Sequence, residues 1–338
     1  MKILVVAPAW VGDMVMAQSL FKQIKTDCPD AVIDVLAPEW SIPLIRRMPE
    51  IQKGISLPIG HGSLRLSTRM RKAKILARKC YDRAIILPAT WKSALVPFFA
   101  KIPIRTGFLG EFRYGLVNDI RALDKTVLNM TVLRYLALGD VKNGSLPPEI
   151  RFYPELDVDR QNRDRMIRYL GLTLDRPVIC FCPGAEYGPA KQWPPAFYRE
   201  LADMLIANGY QIWTIGSRKE AGIASHIHPG HAGEFYRNLC GKTRLEDVVD
   251  LISLAACVVT NDSGLMHVAA ASGVLVQAIY GSSTPSYTPP LTTQADIHYR
   301  GLNCSPCFKR KCPLGHLRCL KEILPWEVYH SIEKRLRH

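Results

Sequence analysis

The hydrophobic residues of this chain follow two alternating patterns, which predict strands and helices in turn. Short apolar runs rich in β-branched residues predict buried strands, at residues 2–7, 31–36 and 84–87 in the first part. Apolar residues three or four positions apart predict helices, one through Met16, Leu20, Phe21 and Ile24 and others at 38–48, 64–80 and 91–99. Residues 54–62 are predicted to be a connection. This alternation is typical of a doubly wound parallel sheet.

The same alternation restarts after a polar, proline-bearing stretch at residues 144–154. Apolar runs predict strands at 178–182, 211–215, 258–260 and 274–279, and helical spacing predicts helices at 159–170, 195–208, 245–256, 265–271 and 326–336. The chain contains no internal sequence repeat. We therefore predict an α/β protein with two Rossmann-like doubly wound parallel-sheet domains, 1–155 and 156–325, facing a cleft. A C-terminal helix is predicted in 326–338, and ligands are expected at the carboxyl ends of the strands.

Composition narrows the class of protein. With 338 residues, 48% of them hydrophobic and 22% charged, the chain is neither disordered, collagen-like nor a membrane-spanning bundle. Its net charge is +14, and residues 1–150 carry 22 basic against 12 acidic residues. The first half is therefore expected to meet an acidic partner. We expect a cytosolic protein, because no secretory signal is visible and six of the ten cysteines are scattered among apolar neighbours.

The turn after the first predicted strand carries a carboxylate. Residues 8–14 contain one glycine, so they form neither a dinucleotide fingerprint nor a P-loop. Asp13 fits a general base that takes a proton from an attacking hydroxyl. It also fits an N-cap that satisfies helix N–H groups.

Two loops in the second half suit phosphate groups. In residues 182–194, glycines such as Gly184 let the backbone approach a ligand and Lys191 supplies a cation, although surface lysines are often only solvated. In residues 260–270, Ser263 and Gly264 would offer N–H groups at a helix N-terminus, or form an ordinary capped helix with His267 in the core. Together with a carboxylate in the other domain, these loops indicate group transfer from a nucleotide donor.

Several segments closely resemble the ADP-heptose:lipopolysaccharide heptosyltransferases, glycosyltransferase family 9. The resemblance rests on residues 10–14, 183–191 and 260–267, with further agreement at 92–100, 105–107 and 113–116. It extends over nearly the whole chain up to about residue 290. The first two segments favour the second type of these enzymes over the first type.

The resemblance implies a GT-B fold with an acceptor domain, a donor domain and a C-terminal helix that packs back on the first domain. It implies an inverting transfer of L-glycero-D-manno-heptose from ADP-heptose to the first heptose of the lipopolysaccharide inner core, without a required cofactor. The alternative is the first type of heptosyltransferase or another nucleotide-sugar transferase of this family. Asp13 matches the catalytic base and Lys191 the residue that holds the ADP phosphates. The donor-binding positions carried over are Gly184, Lys191, Glu220 (at the ribose), Asp262, Ser263, Gly264, Leu265 and His267.

The basic first domain is expected to bind the acceptor, a phosphorylated Kdo-lipid A that carries heptose. Residues 65–83 contain eight basic residues and one acidic residue, although such runs are often solvated faces. The predicted acceptor-binding residues are Arg65, Arg69, Lys92, Arg105 and Arg113. The same charge predicts peripheral contact with the anionic inner leaflet, at the cytoplasmic face of the inner membrane. Residues 65–79 contain no aromatic residue for base stacking, which argues against a nucleic-acid partner.

Four cysteines near the C-terminus form a separate group. Cys304, Cys307, Cys312 and Cys319 lie within sixteen residues, and thiolates suit Zn²⁺. The spacing is not that of a standard two-knuckle site, and His316 is an alternative ligand. A structural zinc ion and a set of reduced or disulfide-linked cysteines are both consistent with the sequence.

Overall fold

Each half of the chain folds around its own six-stranded sheet in the computed structural model, which describes residues 1–60, 62–140, 149–228, 230 and 233–337. The chain divides into two units, Met1–Pro154 and Glu155–His338. Residues 144–148, the start of the predicted connecting stretch, lie outside the described residues.

The first unit is a parallel sheet in the order β3-β2-β1-β4-β5-β6 with helices between the strands. Its elements are β1 (Lys2–Val6), α1 (Val11–Asp27), β2 (Val32–Ala37), α2 (Ile42–Ile45), β3 (Lys53–Ser56), α3 (Leu66–Ala77), β4 (Arg83–Ile86), α4 (Trp91–Phe99), β5 (Ile104–Phe108), β6 (Asp119–Arg121) and α5 (Thr131–Gly139). In β1, Val5 pairs with Val35 on one side and Ile85 on the other. The strand order changes direction between β1 and β4, which makes the loops after these two strands the expected ligand-binding loops.

The second unit repeats this topology, with the parallel order β12-β11-β10-β7-β8-β9. Its elements are α6 (Arg160–Leu170), β7 (Val178–Cys182), α7 (Pro195–Ala207), β8 (Gln211–Thr214), α8 (Ala221–Ile227), β9 (Tyr236–Asn238), α9 (Leu245–Ile252), β10 (Ala255–Asn261), α10 (Gly264–Ala271), β11 (Leu275–Ile279), β12 (Ala295–His298), α11 (Arg318–Lys321) and α12 (Pro325–Leu336). Here the order changes direction between β7 and β10. The two doubly wound parallel sheets confirm the predicted fold class.

The centre of each sheet is apolar on both faces, since helices cover both sides. All five residues of β7 and of β11 are buried. The predicted connection at 54–62 overlaps β3, an edge strand whose residues are exposed or half-buried. That prediction was wrong at residues 54–56 because an edge strand lacks the apolar run of a central one.

The C-terminal helix α12 packs against α7 within the second unit, and its predicted return to the first domain stays a prediction. Val328 and Ile332 are buried in the same core as Leu205 of α7. The Tyr210 hydroxyl also donates a hydrogen bond to Oε1 of Glu333 at 2.9 Å. Burial of this apolar face fixes the helix on α7.

None of the helices in the described part of the chain has the length and apolar character needed to cross a membrane.

Candidate functional site

The main polar cluster of the second unit lies at the carboxyl ends of β7, β10 and β11. The loop after β7, here called the Lys191 loop (residues 183–192), leads into α7, and Asp262 directly follows β10. The Asn261 side chain joins the two loops, because its Oδ1 accepts from the Trp193 N–H at 3.0 Å and its Nδ2 donates to the Pro183 carbonyl at 2.6 Å. The cluster thus occupies the point where the strand order changes direction, the usual ligand position in such sheets.

Lys191 and Asp262 form a largely buried ion pair in this cluster. The Nζ atom of Lys191 lies 2.5 Å from Oδ2 of Asp262, whose side chain is 4% exposed. The hydroxyl of Ser283 donates to the same carboxylate oxygen. Because these contacts fix the ammonium in position, the side chain is already ordered when an anionic ligand binds beside it.

Ser283 was not predicted from the sequence. It is buried and follows β11, just as Asp262 follows β10. The signal available in the sequence was a polar Ser282-Ser283 pair separated by two residues from the end of a buried apolar strand.

The N-terminus of α10 lies directly after Asp262, and the first N–H groups of a helix have no acceptor within the helix. Ser263 is the N-cap residue with an extended backbone, and within the described residues its side chain makes no capping hydrogen bond. Gly264 and Leu265 form the start of the helix and are half-buried. The first N–H groups of a helix and its dipole attract anions, so phosphate binding is favoured over the self-capped alternative.

His267 lies in the first turn of α10 and is buried. Burial lowers its pKa to about 4, with Lys191 acting in the same direction and Asp262 opposing it. The imidazole is therefore neutral near pH 7. It can accept or donate a hydrogen bond there without adding charge.

The Glu220 side chain lies against the Lys191 loop at Gly184, which has no side chain. A Cβ atom at Gly184 would lie 2.9 Å from Cγ of Glu220, so only glycine leaves room for this carboxylate. Oε2 of Glu220 accepts from the backbone N–H and the hydroxyl of Ser217, at 2.7 and 2.6 Å. The structure therefore groups Gly184, Glu220, Lys191 and Asp262 in one unit.

Asp13 occupies the first turn of α1, directly after β1 in the first unit. The N-cap position belongs to Trp10, and the Asp13 side chain is half-buried. The alternative that Asp13 is the N-cap is therefore wrong. A carboxylate in the first turn of a helix is stabilised in its ionised form by the helix dipole, which suits a proton acceptor.

Three arginines predicted to bind the acceptor donate hydrogen bonds to backbone carbonyls. The guanidinium of Arg113, 1% exposed, donates to the carbonyls of Phe108 and Pro88. Burial lowers the pKa of Arg113 to about 10. Arg69 is also buried, and it donates to backbone carbonyls at 2.7 and 2.9 Å. Half-buried Arg105 donates to three carbonyls in the same way. Burial keeps Arg69 and Arg113 from direct contact with a ligand as they are placed, whereas acceptor binding by half-buried Arg105 stays a prediction.

The remaining basic residues of this region are more accessible. Arg65 is exposed, while half-buried Lys92 donates to the Gly62 carbonyl at 2.7 Å. Exposed cations on and just after α3 are Arg71, Lys74, Arg78 and Lys79. Exposed positive charge is therefore concentrated on and just after α3.

The four C-terminal cysteines differ in exposure. Cys304 is exposed and Cys319 is buried, and all four thiols are free. Backbone N–H groups of residues 314–317 lower the pKa of Cys312 by hydrogen bonding. Across the described ranges, no group of three or more His, Cys, Asp or Glu side chains is arranged to hold a metal ion. Burial and the neighbouring thiols of Cys312, Cys304 and Cys307 raise the pKa of Cys319, and zinc binding by the four cysteines stays a prediction.

We expect the stability of the second unit to fall as the pH drops from about 6.5 to about 4. The pKa of His267 is lowered on folding, so over this window the unfolded chain binds a proton that the folded chain excludes. Within this window, one such group lowers the free energy of unfolding by up to about 1.4 kcal/mol for each pH unit of acidification. Burial lowers the pKa of His298 as well, so His267→Gln should make the slope shallower without abolishing it. Urea unfolding at several pH values measures this, and an unchanged slope in the variant would contradict the assignment.

Comparison with known proteins shows which family this chain belongs to. The sequence model of glycosyltransferase family 9 (heptosyltransferase) matches residues 69–318. The chain is 44% identical to lipopolysaccharide heptosyltransferase 2 of Salmonella typhimurium and 47% identical to that of Escherichia coli, each alignment covering 99% of both chains. These similarities confirm the predicted resemblance, including its second type.

Solved structures give the same result. The chain is similar to E. coli ADP-heptose lps heptosyltransferase II, with a TM-score of 0.87, 40% identity and coverage of 100% of this chain and 99% of the other. It shares its fold with an E. coli heptosyltransferase solved with ADP, at a TM-score of 0.73, 19% identity and coverage of 99% and 100%. The predicted GT-B class is thereby confirmed.

Proposed function

The chain belongs to glycosyltransferase family 9 and is a glycosyltransferase, and from this premise we propose the substrates and the residues that act on them. The donor is ADP-heptose, and the acceptor is the first heptose of the lipopolysaccharide inner core. The protein adds the second heptose. The observation that carries this proposal is the Lys191–Asp262 pair at the change of strand order, in a chain 44–47% identical to enzymes named heptosyltransferase 2.

The donor's diphosphate is assigned to the Lys191 loop and the N-terminus of α10. Lys191 would contact phosphate oxygens and offset the charge that develops on the departing ADP. The N–H groups at Gly264 and Leu265 add a second source of positive potential. Glu220 would accept hydrogen bonds from the ribose hydroxyls, and neutral His267 with Asp262 would orient the heptose. Because protein groups neutralise the diphosphate, the proposal requires no cofactor.

Asp13 is assigned the role of general base. It would take the proton from an acceptor hydroxyl while that oxygen attacks the anomeric carbon of the donor heptose. The bond from this carbon to the phosphate oxygen breaks, and ADP leaves with the electron pair. Attack from the face opposite ADP inverts the anomeric centre.

The acceptor is proposed to be a phosphorylated Kdo-lipid A that carries one heptose, presented by a membrane. The cations on α3 would attract its phosphates and the anionic lipids of the inner leaflet. This places the enzyme in the cytoplasm, peripherally at the inner face of the inner membrane. Nucleic acid has no role in the proposal.

Neutralising the exposed cations of α3 should weaken acceptor use. The triple variant Arg71→Gln, Lys74→Gln, Arg78→Gln should raise the acceptor KM about tenfold or more, since each charge near an anionic surface contributes about 1 kcal/mol. The KM for ADP-heptose should stay within twofold. Steady-state kinetics with acceptor in anionic vesicles measures both constants.

The matched control removes three exposed cations of the second unit, Arg160, Arg199 and Lys334. It lowers the net charge equally and should leave the acceptor KM unchanged. Equal effects of the two triple variants, or no effect of the first, would contradict the assignment of α3.

Zinc binding by the four C-terminal cysteines stays a prediction. Elemental analysis of protein purified without chelator decides it. The transfer reaction proposed above involves no step at this segment.

The transferase activity is tested by mixing the purified protein with ADP-heptose and an acceptor that carries one heptose. Release of ADP and a mass increase of one heptose on the acceptor are expected. Absence of transfer to this acceptor would overturn the proposal.

A further inference from the structure

The segment that carries the four cysteines, here called the cysteine segment (residues 304–319), is attached to the Lys191 loop. The N–H of Ala190 donates to the Arg310 carbonyl at 3.1 Å, and the Tyr187 hydroxyl donates to the Phe308 carbonyl at 2.6 Å. Gly188 has a φ of +151°, and a Cβ atom there would lie 2.5 Å from the Arg310 carbonyl oxygen. The absence of a side chain at this glycine allows the two backbones to approach so closely. Arg310 therefore has a fixed backbone position beside Lys191.

Arg310 and Lys191 place their cations at the same aromatic ring. The Nζ atom of Lys191 lies 5.1 Å from the ring centroid of Tyr187, and Cζ of Arg310 lies 5.5 Å from it. Both distances are within cation–π range. The exposed Arg310 side chain is thus directed to the ring that borders the Lys191 ammonium.

The charges of the donor site favour a second cation. The Lys191 ammonium is already paired with the buried Asp262 carboxylate, so this pair contributes little net charge. A nucleoside diphosphate sugar carries two negative charges on its phosphates, and the N-terminus of α10 supplies only about half a positive charge. Among the described residues, no carboxylate forms an ion pair with Arg310. Its guanidinium is therefore available for phosphate, which it can bind in a bidentate manner.

We propose that Arg310 binds the donor's diphosphate as a second cation beside Lys191. The cysteine segment thereby forms one wall of the donor site. This inference rests on the proposed function, because it assumes that Lys191 and α10 hold the donor phosphates. The residue contributes to binding of the nucleoside diphosphate and takes no part in the proton transfer assigned to Asp13.

Calorimetric titration with ADP and with AMP tests this role. Arg310→Ala should raise the Kd for ADP about tenfold, which corresponds to about 1.4 kcal/mol. The Kd for AMP should change less than twofold, because AMP lacks the second phosphate. Arg310→Lys should retain most of the ADP affinity, and Lys309→Ala, which removes the neighbouring exposed cation, should behave as wild type.

Two results would overturn the inference, and a third would overturn its premise. Wild-type ADP affinity in Arg310→Ala, while Lys191→Ala loses ADP binding, would exclude Arg310 and leave the donor site intact. Equal losses for ADP and AMP in Arg310→Ala would show a general disturbance of the Lys191 loop. Unchanged ADP affinity in Lys191→Ala would instead contradict the donor-site assignment itself.

Discussion

Replacing Asp13 with asparagine should lower the turnover of heptose transfer by about 10²- to 10⁴-fold, the contribution typical of a positioned general base. The asparagine side chain keeps the shape of the residue but cannot accept the proton of the attacking hydroxyl. Because the donor loops belong to the second unit, the Kd for ADP should stay within twofold. Single-turnover kinetics at saturating ADP-heptose and acceptor measures the chemical step, and calorimetry measures ADP binding.

A second aspartate of α1 provides a matched control for Asp13. Asp27 lies exposed in the last turn of the same helix, so Asp27→Asn removes a carboxylate from α1 without touching its first turn. This control should retain full turnover and the same thermal midpoint. Full activity in Asp13→Asn, or an equal loss in Asp27→Asn, would exclude Asp13 as the base.

Replacing Lys191 with alanine should lower kcat/KM for ADP-heptose by about 10²- to 10³-fold, as expected when a preorganised charge is removed from the departing group. Both kcat and KM should change, because the ammonium contacts the diphosphate in the bound donor and stabilises the added charge in the transition state. The variant also leaves the buried Asp262 carboxylate with Ser283 but without its cation. We therefore expect a lower thermal midpoint as well.

Two further variants separate the catalytic effect of Lys191 from the structural one. Lys191→Arg restores a cation beside Asp262, so it should recover the thermal midpoint. It should recover less of the turnover, because the planar guanidinium differs in size and shape from the lysine ammonium. Lys334→Ala, an exposed position on α12, controls for the loss of a lysine in the second unit. Normal kcat/KM in Lys191→Ala would contradict the assignment of the diphosphate to this loop.

The sequence predicted the central strands well, because burial on both faces leaves a continuous apolar run. Val178–Cys182 matches its prediction residue for residue, and α4 is Trp91–Phe99 as predicted. The strands that were missed lie at or next to the sheet edges. In β6 and β12, for example, every residue is exposed or half-buried, so neither carries an apolar run. Edge strands take their conformation from one neighbour rather than from their own composition.

The sequence predicted those residues of the candidate site that lie in loops directly after buried apolar strands. Lys191 and Asp262 lie in loops that follow buried strands, so the sequence predicted both at the carboxyl ends of the strands in one sheet. Arg113 lies in an equally basic stretch, yet it is buried against carbonyl groups that no local pattern reveals. Arg310 comes to the Lys191 loop from more than a hundred residues away along the chain. Its position depends on the glycine contact at Gly188, which spacing alone does not indicate.

The central claim is that this chain adds a heptose from ADP-heptose to an inner core that already carries one heptose. Mass spectrometry of reactions with two acceptors, Kdo-lipid A without heptose and the same acceptor with one heptose, tests it most directly. We predict a gain of one heptose residue and an equal release of ADP with the second acceptor only. Transfer to the heptose-free acceptor in preference, or ADP release without a mass gain on either acceptor, would contradict the claim.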